Sequence, residues 1–186
     1  MKKSILYIFI FIFPLIIALI WYRPGLMLAT GETAIPFYSL GRNASLTQHA
    51  WQEHVLGNPS GFTTISYPLY LSLNLLAVLL PPGLIQVLLF FILMVISAIS
   101  LSLLLRKKSL KEQGITICFY LCNVGIMVLV WNRFQYTFIF FASLLPASFA
   151  LYKKGIDEQK WIYILITNLA LVLLSQSFSS LPLIIL

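Results

Sequence analysis

The sequence predicts an all-α protein: a polytopic membrane helix bundle with a long outer loop and an interfacial helix after the first span. Three observations carry that expectation. Sixty per cent of the 186 residues are hydrophobic and 9% are charged, against roughly 25% charged in an ordinary soluble domain. Long apolar runs recur along the whole length, and the mean hydropathy is +0.96. The polar joints between those runs carry lysine and arginine mainly at alternate positions, the pattern of a chain that threads a bilayer back and forth. Residues 1–186 are expected to form one membrane domain, since no composition shift marks a second.

The first span, 4–22, follows Lys2 and Lys3. A cleaved signal peptide shares that basic start, but its apolar core runs about 7–15 residues and ends at a small-residue cleavage site. Here the run is longer and closes on Trp21-Tyr22-Arg23-Pro24, an aromatic anchor for a membrane interface. An uncleaved helix is expected. The stretch 23–66 then forms the longest polar connection, yet it carries apolar anchors such as Phe37, Trp51 and Phe62. Loops of this length inside compact architectures are functional or disordered, and the anchors argue for a loop folded onto the membrane surface.

Residues 67–80 are apolar, but their helical length of about 20 Å falls short of a bilayer. Tyr67, Tyr70, Asn74 and Ala77 recur at i, i+3, i+7 and i+10, which draws one softer stripe along a helix. An interfacial or re-entrant helix on the outer face is expected; a short tilted crossing is the rival. Pro81-Pro82-Gly83 breaks it before the span 84–105, which reaches about 33 Å and suffices for a ~30 Å hydrocarbon core. Spans at 115–131, 136–152 and 161–175 are shorter, with tryptophan or tyrosine at most of their ends. The joints between them are expected at 106–114, 132–135 and 153–160. Apolar 181–186 reads as the start of a sixth span, so the chain is expected to be either a fragment of a longer protein or a truncated one that works only with a partner.

Sidedness follows from the cations. Lys2, Lys3, Arg106, Lys107, Lys108, Lys111, Lys153, Lys154 and Lys160 fall on one side, and Arg23, Arg42 and Arg133 on the other. The positive-inside rule therefore places the N terminus in the cytoplasm and 23–66 outside. It also assigns the pI of about 9.5 to membrane anchoring. No basic-aromatic interleaving marks a nucleic-acid face, so membrane lipid is an expected partner and nucleic acid is not.

The chemistry-bearing residues gather outside. Both histidines and two of the five carboxylates lie in 23–66, where TQHAWQEHVLGNPSG (47–61) holds His49, Glu53 and His54. His49 and Glu53 could share a helical face, but His54 lies about 140° from His49, which is not the one-faced spacing of a zinc helix. Cys118 and Cys122 sit inside an apolar span and read as packing residues. GxSxG elbows and GxxxxGK phosphate cradles are absent, and Asn43-Ala44-Ser45 is a bare glycosylation sequon. General acid–base chemistry remains: a carboxylate near the bilayer, its pKa raised by desolvation, can take a proton from an acceptor hydroxyl. Glu32, in LATGETAIPFYSL, is the candidate; its rival reading is a solvated loop residue.

An acid soon after the first span, HAWQEHVLGNPSG, YPLYLSLNLLAVLLPPGLIQ and LLPASFALYKKG follow in that order. The series resembles the N-terminal part of GT-C-type integral-membrane glycosyltransferases, particularly arabinofuranosyltransferase-like members and related uncharacterised prokaryotic membrane proteins. The Tyr67-Pro68 step and the entry from Pro82 to Gln86 carry the likeness further. The resemblance implies transfer of a sugar from a polyprenyl-phosphate donor to an acceptor on the outer face of a prokaryotic plasma membrane. It casts Glu32 as the catalytic base. It implies Arg23, Arg42 and Arg133 for the lipid phosphate, and Trp51, Tyr67, Tyr70 and Asn74 for the sugar. Two departures stand out: the family usually shows Asp at the loop acid, and no Asp-x-Asp pair exists here. No metal and no cofactor are expected. The alternative class is a non-catalytic membrane subunit or transporter segment whose outer loop docks a partner protein.

Overall fold

A computed structural model describes residues 3–21, 23, 26, 39–48, 51–52, 58–59, 67–123 and 136–174. Their helices are α1 (Lys3–Trp21), α2 (Leu40–Thr47), α3 (Tyr67–Leu76), α4 (Pro82–Leu104), α5 (Leu110–Cys122), α6 (Tyr136–Glu158) and α7 (Trp161–Leu174). Among the described residues the regular structure is all helical apart from a two-residue antiparallel ladder, in which Trp51 faces Pro59 and Gln52 faces Asn58.

Local sequence explains the helix ends. Pro81 takes an extended N-cap conformation and Pro82 is the first helical residue of α4. A proline there forfeits an N–H that would have no helical partner, and its fixed φ suits the first turn. The N–H groups of Leu84 and Ile85 then donate to the Pro81 carbonyl at 2.9 and 3.1 Å. At α5, Ser109 and Glu112 form a reciprocal capping box: the Glu112 N–H donates to Ser109 Oγ, and the Ser109 N–H donates to Glu112 Oε2 at 2.7 Å. The end of α6 is a Schellman turn. Gln159 takes φ 54°, and the Lys160 N–H reaches back to the Gly155 carbonyl at 3.1 Å.

α4 is the hub. It packs against α1, α5 and α6, while α6 packs against α7 and α2 against α3. Ile10, Phe90, Met94, Ala98, Ile117 and Leu121 are at most 1% exposed and lie in one continuous cluster. A proline helps to knit this core. Pro146 lies within α6 and has no N–H to give the carbonyl four residues back, that of Ala142. That carbonyl instead accepts the Tyr120 hydroxyl at 2.6 Å and the Ser97 hydroxyl at 3.2 Å. One backbone acceptor thus ties α4, α5 and α6 together. In an apolar interior, leaving it without a donor would cost several kcal/mol.

Among the described residues, two helices, Ser4–Trp21 and Pro82–Leu104, are long and apolar enough to cross a membrane. They match the expected spans 4–22 and 84–105 to within two residues. Elsewhere the helix bounds differ from the expected joints. Residues 110–114, expected within the polar joint 106–114, belong to α5, and residues 153–158 continue α6 to within two residues of α7. The described part of the 115–131 span ends at the Asn123 cap, and 132–135 and 181–186 lie outside the described residues.

Candidate functional site

Half of the expected site residues lie on the pair α2–α3. Leu40, Ala44 and Thr47 are the buried residues of α2 and recur at i, i+4 and i+7, one face of the helix. Two polar side chains of α2 bond to backbone one turn back: Asn43 Nδ2 donates to the Ser39 carbonyl at 2.8 Å, and Thr47 Oγ1 to the Asn43 carbonyl at 2.8 Å. On α3, Tyr70 and Leu73 are buried, and Tyr67, Asn74 and Ala77 are half-buried. The softer stripe therefore turns toward the protein. Leu75, Val78 and Leu79 point away from it at 61, 80 and 79% exposure.

The two helices approach closely where α2 carries glycine. A Cβ at position 41 would stand 3.2 Å from Asn74 Oδ1, tighter than ordinary contact. Arg42, the next residue, is exposed, and among the described residues it has no carboxylate partner. Four of the expected site residues, Arg42, Tyr67, Tyr70 and Asn74, thus belong to one helix pair. Arg23 is exposed just beyond α1, where its carbonyl accepts the Leu26 N–H at 3.0 Å. Trp51 lies in the short ladder, paired with Pro59. Glu32 and Arg133 lie outside the described residues, as do His49, Glu53 and His54. Among the described residues, no three His, Cys, Asp or Glu side chains are grouped to hold a metal ion.

A second polar centre lies at the other end of α4. Arg106 pairs with Asp157 at 3.0 Å, across 51 residues of sequence, and Lys160 pairs with Glu158 at 3.1 Å. Lys154 lies 4.0 Å from Glu158 and 4.4 Å from the centre of the Tyr163 ring. Tyr163 first, and Glu158 after it, hold the Lys154 ammonium above its ordinary pKa. Hydrogen bonding from Ser109 holds the Glu112 carboxyl below its ordinary value. A cavity of about 170 Å³ opens here between the C-terminal ends of α4 and α6. The reading of single residues missed this centre, because no spacing announces a pair as distant as Arg106–Asp157. The box was visible: Ser109-Leu110-Lys111-Glu112 has the S-x-x-E signature of a helix start.

No protein-family model matches the chain, and neither a curated protein nor a solved structure matches it. The functional reading therefore rests on these residues and their placement.

Proposed function

We propose that the chain is an integral-membrane protein, the N-terminal part of a glycosyltransferase that moves a sugar from a polyprenyl-phosphate donor to an acceptor on the outer face of a prokaryotic plasma membrane. The observation that carries this reading is the α2–α3 pair, to which Arg42, Tyr67, Tyr70 and Asn74 all belong; Glu32 precedes α2 in the sequence. Arginine suits a lipid phosphate through its planar fork of donors. Tyrosine rings and an amide offer stacking and hydrogen bonds to a sugar. Glu32 takes the proton of the acceptor hydroxyl.

Exposed grease supports the membrane part. Only 28% of the first candidate span is buried, and large side chains from Ile5 to Ile20 are mostly about half exposed. Water would face nine such residues on α1. At ~1.5–3 kcal/mol for full burial of each, half exposure forfeits roughly 10 kcal/mol, as much as the whole stability of a typical domain. Lipid removes that penalty.

The test uses the full-length protein in proteoliposomes with a polyprenyl-phosphate sugar. Positioned acid–base groups contribute roughly 10²–10⁴-fold, so Glu32→Gln is expected to lose about that much turnover while expression and detergent-stable folding persist. His49→Gln is expected to cost far less. Parental turnover in Glu32→Gln would remove the catalytic assignment and favour a docking role for the outer loop.

A further inference from the structure

The cavity at the basic end of the bundle is lined by apolar Leu103, Leu104 and Ala150 on one side and by Arg106, Lys153, Lys154, Asp157 and Glu158 on the other. Its charge is not balanced. Its lining holds three cations, Arg106, Lys153 and Lys154, against two carboxylates, Asp157 and Glu158, and the stretches 106–112 and 153–160 around it hold seven cations against three carboxylates. Each carboxylate is already engaged: Asp157 by Arg106, Glu158 by Lys160 and Lys154, and Glu112 by the α5 cap. Lys153 is the cavity cation left without a carboxylate among the described residues. Arg106 donates a hydrogen bond to Asp157, and its guanidinium carries further N–H donors that can serve another acceptor.

We infer that this cavity binds the phosphate of an anionic phospholipid headgroup, with Arg106 and Lys153 as its donors and the glycerol and first acyl carbons along Leu103, Leu104 and Ala150. Two features of the lining select that ligand. The surplus of positive charge calls for a net anion, and cation-lined pockets between helices at the cytoplasmic boundary attract such headgroups. The apolar wall continues directly from the exposed flank of α4, where Leu103 is 43% exposed. A free phosphate would gain nothing from that wall, whereas an amphiphile covers it. The inference rests on the membrane placement proposed above but not on the sugar chemistry.

The full chain, purified in an uncharged detergent, is titrated with phosphatidylglycerol, phosphatidylcholine or inorganic phosphate while its thermal unfolding midpoint is followed. Phosphatidylglycerol is expected to raise the midpoint and phosphatidylcholine to leave it in place. Lys153→Gln is expected to weaken the apparent phosphatidylglycerol affinity about fivefold, the scale of one lysine at an anionic surface. Lys111→Gln makes the same charge change on α5, away from the cavity, and is expected to leave that affinity unchanged. Equal stabilisation by phosphatidylcholine, or an equal loss from Lys111→Gln, would overturn the site. So would a Lys153→Gln midpoint lowered alike with and without lipid, which would reduce the lysine to an offset for the helix C-terminal dipoles. Stabilisation by inorganic phosphate alone would overturn the lipid assignment. Alkaline carbonate extraction separates the two readings. A chain released by carbonate defeats the membrane placement itself, whereas a retained chain without phosphatidylglycerol preference defeats this inference alone.

Discussion

The two polar centres of this protein solve the same problem in different ways. They are joined by α4, whose 23 residues set them about 35 Å apart along its axis. At the basic end, charges are met by charges and helix ends by side chains: Arg106 by Asp157, Glu158 by Lys160, and the start of α5 by Ser109 and Glu112. At the α2–α3 end there is a close approach of the Asn74 side chain to Gly41, two tyrosines on an inward stripe, and an exposed arginine with no carboxylate partner among the described residues. The first arrangement locks helices together. The second leaves the Arg42 guanidinium exposed beside a half-buried amide and tyrosine, Asn74 and Tyr67, an arrangement that a structural joint does not need.

The largest expected effect tests whether the two centres lie on opposite sides of the membrane. Ser45→Cys, exposed on α2, is expected to react with an impermeant thiol reagent on intact cells. Lys107→Cys, exposed beside the α5 cap, is expected to react only after permeabilisation. Both are read in a background lacking Cys118 and Cys122. Labelling of both positions on intact cells would put the centres on one side, and the residues 67–80 would then have to cross the membrane.

A smaller effect is expected from the shared acceptor that holds α4, α5 and α6 together. Tyr120→Phe removes one donor to the Ala142 carbonyl and keeps the ring. With Ser97 still donating, the loss is expected to be about 1 kcal/mol of stability in detergent. Adding Ser97→Ala leaves the carbonyl without either donor, and the double variant is expected to lose more than the two single losses combined. Simple additivity would mean that the residues near Pro146 rearrange to satisfy Ala142 in another way.

Much of the helix layout is legible in the sequence because hydropathy and proline act locally. Tyr67, Tyr70 and Asn74 give the inward stripe of α3 by their spacing, and Pro81-Pro82-Gly83 marks where α4 starts. What escapes the sequence is long-range or works against type. Residues 106–114 look like one polar joint, because lysine and glutamate outweigh the short capping signature inside it. Residues 153–160 look like a loop with a glycine in it. Gly155 instead serves close packing, since a Cβ there would stand 3.0 Å from Ile164 Cγ1, and the left-handed residue that ends the helix is Gln159. Of the candidate site, the α3 half is periodic and readable. Its partner Gly41 is recognisable only once α2 lies against Asn74.

That last contrast gives the smallest and sharpest test. Gln159 holds φ 54°, a conformation that costs a residue with a side chain roughly 1–2 kcal/mol and glycine almost nothing. Gln159→Gly also frees the unfolded chain, which takes back part of that gain. A net stabilisation of about 0.5–1 kcal/mol is expected, read as a higher unfolding midpoint in detergent. Gly41→Ala is the counterpart on α2. In an open helix it would gain up to about 1 kcal/mol, but here the new methyl meets Asn74 Oδ1 at 3.2 Å. Little or no gain is expected. If Gly41→Ala stabilised the protein by the full helical increment, α2 and α3 would not be held closely at that point, and Arg42 would no longer be tied through its neighbour Gly41 to the α3 face that carries Asn74.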